Sequence, residues 1–587
     1  MVSSLQLPFL TTHAFLLVTW HLLFPLARCA VYQSLEGLPA DLKPFDFIVA
    51  GGGTAGSVVA SRLSENTNFN VLLIEAGPDT AGVLEIEVPG LIGQINASIY
   101  NWNYVTTPQA GLNGRTLGVP RGRGLGGSSC INGMAYSRGA SDDYDNWARL
   151  TGDPRWRWNA LWPYMKRHEH WMGAAGGRNA TGEYDPSVHG YNGNVGTGLP
   201  WDATNEHDIR AIRQTEIQGD LHLVSDHNAG QPIGLTWLQL TTGGGERWSA
   251  AKSYLGPHVR RRPNLRILLN THVTRVLPVK ASKPRIDVRT VEVADRAAGS
   301  RVTFTAKKEL ILSGGTIGTP QILLNSGIGN RTELERLGIP VVLDSPFVGE
   351  GMMEHVTVTL TWNIVPQNIT VIDPDVAWAM WQQNRTGPLS TPGPVHQVMW
   401  YRLPQKTDVL SKYKDTSSGP GSPHFQFTFG DQGRVILLTP YSRGSVKLNS
   451  TDPFVHPIID QGLLTHPFDL AALKEGIRTA KKFYTGPAWE GYVLGFGGPD
   501  PDVLSAEEFE TRVREVARTF LHPVGTAAMS SKHSKQGVVD SELRVKGATG
   551  LRVVDASVFP LTPASLTQGP VYIVSERAVD FIRHSWL

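Results

Sequence analysis

Three glycines at the spacing Gly51-x-Gly53-x-x-Gly56, followed by an acid at Glu75, are the residues of this chain best suited to hold a charged cofactor. Gly51 permits a tight turn, Gly53 lets the backbone approach a pyrophosphate, and Gly56 lets a helix pack closely on a sheet. Thr54 and Ala55 open that helix, whose N-terminus would face the phosphates. Glu75 stands about twenty residues beyond the glycines, where an acidic side chain reaches the ribose hydroxyls of a dinucleotide. The chemistry implied is dinucleotide binding, and the pattern alone does not separate FAD from NAD.

The elements that must position these residues are legible around them. Phe45–Ala50 predicts a buried strand, Ser57–Leu63 the continuation of the helix, and Val71–Ile74 a second strand. From about 108 to 139 the chain is glycine-rich, and the Gly122-Arg123-Gly124-Leu125-Gly126-Gly127-Ser128-Ser129-Cys130-Ile131-Asn132-Gly133 run offers backbone N–H groups to a ligand. Leu125, Cys130, Ile131 and Met134 make it too apolar for a flexible linker. Residues 140–230 are rich in Trp, Tyr and Gly and read as an irregular excursion. Strand patterns return at Leu265–Leu269, Val273–Leu277 and Glu309–Ser313, and a helix is predicted for Thr319–Asn325. Longer strands and Pro-rich loops fill about 346–519, before strand and turn chemistry resumes at Leu551–Ala556. One domain is thus built from separated pieces, with a second lobe inserted between them.

At 587 residues, with 41% hydrophobic and 18% charged, the chain is too long for one core and should divide into lobes. A net charge of +2 and the lack of a basic stripe with interleaved aromatics argue against a nucleic-acid partner. Nothing in the sequence sets the oligomeric state. The apolar run 14–26, followed by Ala27-Arg28-Cys29, reads as a secretory signal peptide over residues 1–29. Sequons at Asn96, Asn179, Asn330, Asn368, Asn384 and Asn449 agree with glycosylation in the secretory pathway, ending outside the cell, in the wall or in a vesicle. Of the two cysteines, Cys29 leaves with the signal, so Cys130 should have no internal disulfide partner. No metal site is expected.

The fingerprint with Glu75, the Gly122–Asn132 block, the Gly315–Gly329 block, Leu521-His522-Pro523-Val524-Gly525-Thr526 and Leu551–Ser557 stand in the order of the glucose-methanol-choline oxidoreductases. The chain resembles that family from about residue 44 to its end. Tyr100-Asn101-Trp102-Asn103-Tyr104 and Thr567-Gln568-Gly569-Pro570 look most like the fungal aryl-alcohol oxidase branch and its relatives in secondary-metabolite pathways. The resemblance implies an α/β fold: a discontinuous Rossmann-like FAD domain over 44–345, with a substrate-domain segment interleaved at about 140–230. A mainly substrate-binding α+β domain over 346–519 and a return to the FAD domain over 520–587 complete it.

It also implies FAD, held noncovalently because Ile131 occupies the place where tethering relatives carry histidine. Arg123, Gly127 and Ser128 belong to the cofactor block, Asn132 and Gly133 would lie along the isoalloxazine edge, Asp555 and Ala556 near the pyrophosphate and ribityl chain, and Val273 at the adenine. His522 would be the base that removes the hydroxyl proton as hydride passes to flavin N5. The family's second polar residue falls on Leu566, which makes no hydrogen bond, leaving Ser565, a shifted loop or His522 alone to serve. Glu354, before His355, replaces the usual aspartate. Tyr100, Trp102, Trp400 and Tyr401 are candidates for an apolar substrate pocket. The activity implied is oxidation of a primary aromatic, allylic or heterocyclic alcohol to an aldehyde, with dioxygen or a quinone-type acceptor. Sugar oxidation is less favoured, and the runner-up is a lyase, like the family's hydroxynitrile lyases, that keeps FAD as structure.

Overall fold

The computed structural model describes residues 31–39, 44–202, 204–280, 286–366 and 372–586, so the signal-peptide region 1–29 and Asn368 lie outside the described residues. One lobe, drawn from both ends of the chain, is organised by a six-stranded parallel sheet in the order Val31–Tyr32, Leu265–Leu268, Val71–Ile74, Phe47–Ala50, Glu309–Leu312 and Leu551–Val553. The central strands are buried at every position, which explains their unbroken apolar sequences. Helix Thr54–Leu63 follows the Phe47–Ala50 strand and packs against the long C-terminal helix Gln568–Trp586. The helix after Glu309–Leu312 spans Gly315–Asn325, four residues longer at its start than the sequence suggested; Pro320 lies inside it, and the Thr316 carbonyl that Pro320 cannot bond accepts instead from Thr526 Oγ1 at 2.7 Å.

The second large sheet is mainly antiparallel, in the order Val493–Phe496, Val356–Ile364, Gln432–Leu437, Phe425–Thr428, Gln397–Tyr401 and Gly234–Trp237, with Arg518–Thr519 pairing on Val356 and Thr357. Its strand Val356–Ile364 shows how a two-residue period builds two environments. Val356, Val358, Leu360 and Trp362 face the apolar core beneath helix Pro467–Tyr484. Thr357, Thr359 and Thr361 face the other way. Gly476 allows that helix its close approach, since a Cβ there would lie 2.8 Å from the Phe425 ring.

The segment 140–230 is more regular than expected. Helices Ser141–Thr151, Trp158–His168 and Glu206–Gln218 run through it, and Glu169–Ala174 pairs in parallel with Val195–Leu199. Tyr144, Trp147, Ala148 and Thr151 are buried at helical spacing.

Candidate active site

A cavity of about 1040 Å³ is lined by both large sheets. At its cofactor end Gly51 turns out of its strand with φ +108°, and a Cβ there would meet Ser313 O at 2.3 Å. A Cβ on Gly56 would sit 1.8 Å from Gly51 O, so glycine alone permits this helix to pack on this turn. Gly53 and Gly127 oppose one another, a Cβ on Gly127 reaching to 2.7 Å from Gly53 Cα. Thr54, Ala55, Gly315, Thr567 and Gln568 also line the cavity, so the N-termini of three helices converge on it and favour an anionic ligand.

Glu75 is buried against this cradle. Its Oε2 accepts the Gly52 N–H at 2.8 Å, and its Oε1 accepts those of Gly77 and Gly124 at 2.9 and 3.1 Å. The carboxylate therefore ties the fingerprint to the glycine-rich block, as well as facing the cavity. Burial pushes its pKa up, while the three N–H groups and Arg123 oppose the shift. Asp555 is a comparable clamp, accepting from Gly315 N at 2.9 Å, Thr319 Oγ1 at 2.6 Å and Ser557 N at 2.8 Å.

Asp555, Ala556, Ser128, Asn132, Gly133 and Val273 all line the cavity. Asn132 Nδ2 donates to Gln568 Oε1 at 2.8 Å, and Asn132 Oδ1 accepts from Arg247 Nη1 at 2.8 Å. A glycine cradle that any Cβ would close, three helix N-termini and a long cleft fit FAD.

His522 lines the opposite part of the cavity. The residue before it, Leu521, holds a left-handed φ of +66°, a strained conformation for a leucine. Three contacts fix that conformation: Leu521 N donates to Thr519 Oγ1 at 3.0 Å, Arg121 Nη2 donates to Leu521 O at 2.7 Å, and His522 N donates to Glu354 Oε1 at 2.7 Å. Glu354 is buried and pushed up to about 7 by desolvation, with the His522 N–H and Arg121 opposing.

His522 Nδ1 lies 3.0 Å from Nδ1 of the fully buried His355. One ring must donate to the other. The Pro563 and Leu438 carbonyls near His355 favour a proton on its far nitrogen, although no bond to them is well aligned. His355 Nδ1 then accepts from His522, and His522 Nε2 keeps its lone pair for a ligand. Burial, with His355 and Arg121 nearby, holds the His522 pKa well below 6.5, so the ring is neutral at pH 7. That is the protonation state of a general base.

Next to this dyad the Val356–Ile364 strand leads outward. Thr357 is buried, Thr359 half-buried and Thr361 exposed, and all three line the cavity. Cross-strand pairing sets Gln432 beside Thr361, Arg434 beside Thr359 and Arg518 beside Thr357, and these three line it as well. Thr357 Oγ1 is buried without a hydrogen-bond partner.

Some expected residues stand elsewhere. Tyr100 packs against the Ile86, Ile95, Cys130 and Ile131 cluster and is absent from the cavity wall, because its backbone is bent away by the turn at residues 98–101. Arg123 is also off the wall: its guanidinium donates to Ala76 O at 3.0 Å and lies 5.6 Å from the Trp102 ring. Trp102 does line the cavity, but packed with Tyr104 and His272 beside Val273, at the end where the adenine is expected. Trp400 is buried in a core cluster and Tyr401 packs at a tilt near Phe427 on the reverse face, so neither lines the cavity.

Leu566 is on the wall, its N–H donating to Ser137 Oγ at 2.9 Å. Ser565 is fully buried and turned towards Leu566 O, leaving it no role there. His355 as the partner of His522, the threonine row, Gln432, Arg434, Arg518 and Arg247 were not foreseen from the sequence. The alternation of threonine after Glu354-His355 was the available signal for the first two.

Asn179, Asn384 and Asn449 are exposed and Asn330 is half-buried. Cys130 is a buried free thiol. Among the described residues no group of His, Cys, Asp or Glu could hold a metal ion, and no helix is long and apolar enough to cross a membrane.

Comparison with known proteins agrees with this geometry. Family models described as GMC oxidoreductase match residues 45–357 and 440–575. A pyranose dehydrogenase of Agaricus campestris is 40% identical, over 96% of this chain and 97% of that protein. Dehydrogenase eriK of Hericium erinaceus is 40% identical, over 94% of this chain and 96% of its own length. The structure of a fungal aryl-alcohol oxidase superposes with a TM-score of 0.81 at 26% identity, covering 93% of this chain and 100% of that one. The chain belongs to the GMC oxidoreductase family and is an FAD-dependent oxidoreductase of the Rossmann-type α/β fold.

Proposed function

We propose that this enzyme oxidises a carbinol of a small polyhydroxylated, sugar-like substrate. The observation that carries the reading is the polar wall beside His522, where Thr357, Thr359, Thr361, Gln432 and Arg434 present hydrogen-bonding groups from two paired strands. A mainly apolar pocket, as first expected from sequence, would leave the buried Thr357 hydroxyl unpaired, at a cost of about 1–3 kcal/mol. The similarity to a pyranose dehydrogenase supports the same substrate class.

In this reading Gly51, Gly53, Glu75 and the helix N-termini hold FAD, which supplies the two-electron acceptor for the hydride leaving the carbinol carbon. His522 Nε2 takes the hydroxyl proton, and His355 holds the ring in the tautomer that leaves Nε2 free. Glu354 holds the backbone beside the ring by accepting the His522 N–H. Ile131, and not a tethering histidine, stands on the cavity wall, so FAD should be released intact on acid precipitation. The exposed sequons at Asn179, Asn384 and Asn449 support passage through the secretory pathway, which a mass loss on deglycosylation of the secreted protein would verify.

A second reading, a primary alcohol on an aryl or allylic skeleton, is favoured by Leu566 and Phe520, which put apolar surface on the wall near the base. Anaerobic titration of the oxidised enzyme with monosaccharides and with benzylic and allylic alcohols separates the two. Flavin bleaching by sugars at the lower concentrations is expected. Bleaching by the aromatic alcohols alone would replace the polyol reading with the second one.

A further inference from the structure

Three arginines of the described chain are buried to 1% exposure or less and rank among its largest enclosed side chains: Arg138, Arg247 and Arg552. Two have the partner that a buried cation requires. Arg138 pairs with Glu169 at 2.6 Å, and Arg552 pairs with Glu309 at 2.6 Å. Arg247 has no carboxylate among its contacts. Its Nε donates to Ile86 O at 2.8 Å, and its Nη1 donates to Asn132 O and Asn132 Oδ1 at 2.8 Å each and to Ser129 O at 3.3 Å. Its Nη2 is buried without a hydrogen-bond partner. The one titratable neighbour is the Cys130 thiol, which burial pushes up and so keeps neutral.

An enclosed, unbalanced guanidinium is costly to a fold, because carbonyl dipoles replace only part of its lost hydration. The location of this one gives the cost a use. Ser129 and Asn132 both line the cofactor cavity, so the charge sits directly behind that wall. Arg247 also fixes the Asn132 amide. With Oδ1 held by Arg247, Nδ2 is the group turned to Gln568, and the side chain cannot flip without breaking both bonds.

We propose that Arg247 is a positioning residue that acts through Asn132 and, by its unbalanced positive charge, makes the bound FAD a stronger oxidant. Two-electron reduction adds negative charge to the isoalloxazine. A cation enclosed in a low-dielectric wall stabilises the reduced state more than the oxidised one. The effect is independent of which alcohol is the substrate.

The test uses Arg247→Gln, which keeps a donor but removes the charge, and Arg247→Lys, which keeps the charge but loses the multiple grip on Asn132. The midpoint potential of each FAD-loaded protein is measured by equilibration with a reference dye. The reduction equilibrium of Arg247→Gln should fall at least tenfold, which for a two-electron couple is about 30 mV, and that of Arg247→Lys should stay within threefold of the parent. A parent-like potential in Arg247→Gln, or an equal fall in both variants, would overturn the proposal. Should Arg247→Gln fail to load FAD, the equally uncharged Arg247→Met takes its place: a tenfold fall upholds the role of the charge, and a parent-like potential sinks it.

Discussion

The 3.0 Å contact between the Nδ1 atoms of His355 and His522 couples the tautomer of one ring to that of the other. In the proposed reading, His522→Ala removes the group that takes the hydroxyl proton while leaving the glycine cradle intact. The rate of anaerobic flavin reduction should fall about 10²–10⁴-fold with the FAD content unchanged. A His355→Ala change acts differently. It removes the acceptor for the Nδ1 proton and one of the influences that keep the His522 pKa below 6.5. The base must be neutral to work, so a raised pKa moves the acid limb of kcat/KM to higher pH. A pH profile of the two proteins should show that limb displaced upward in the variant, together with a lower plateau. His522 was legible from its motif, but His355 was seen only as the neighbour of Glu354. Nothing local in the sequence says that residues 167 positions apart share a proton.

At the scale of elements, the polar cavity wall is a product of strand pairing. Thr357→Val keeps the shape and the β-branched preference while deleting the unpaired hydroxyl. Under the polyol reading, kcat/KM for a sugar should fall about 2- to 12-fold, the worth of one neutral hydrogen bond, while values for benzyl alcohol stay level. The cradle is less forgiving. Gly56→Ala would drive a methyl group into Gly51 O, so the variant should purify with little FAD, read from the ratio of protein to flavin absorbance. The sequence displays these two features very unequally. Gly51 to Glu75 is a contiguous unit in which strand, turn, helix and acid can be read in order. The wall joins Thr359 to Arg434 and Thr357 to Arg518, pairings that exist only after the antiparallel sheet has formed. The helices of 140–230 were missed for another reason. Tyr144, Trp147, Ala148 and Thr151 do keep helical spacing, but the aromatic density of that stretch masks the period.

Across the whole molecule, buried charge is managed by clamps far from the cavity. His396 lies between Asp208 and Asp202, 2.7 and 2.8 Å from their carboxylates. Burial disfavours its charge, yet the two carboxylates outweigh it and hold the pKa at about 9. A folded-state pKa above the unfolded value gives stability that is complete below about 6.5 and is lost as pH rises through 9. The urea midpoint should therefore drop between pH 6.5 and 9.5 by more in the parent than in His396→Gln, whose side chain does not titrate. Fold class and cofactor were readable from blocks in the chain, whereas this clamp depends on three residues that only tertiary packing brings together. The parallel sheet has a further consequence, one of timing. Its strand Glu309–Leu312 is paired on one side by Phe47–Ala50 and on the other by Leu551–Val553. The second partner leaves the ribosome roughly 240 residues later, about 10–50 s at ordinary rates of synthesis. For that interval the nascent protein carries an open apolar strand edge, and the cofactor cleft still lacks the wall made by residues 520–568. Chaperone dependence during synthesis, and FAD capture only after release of the finished chain, follow from the order in which the sheet is assembled.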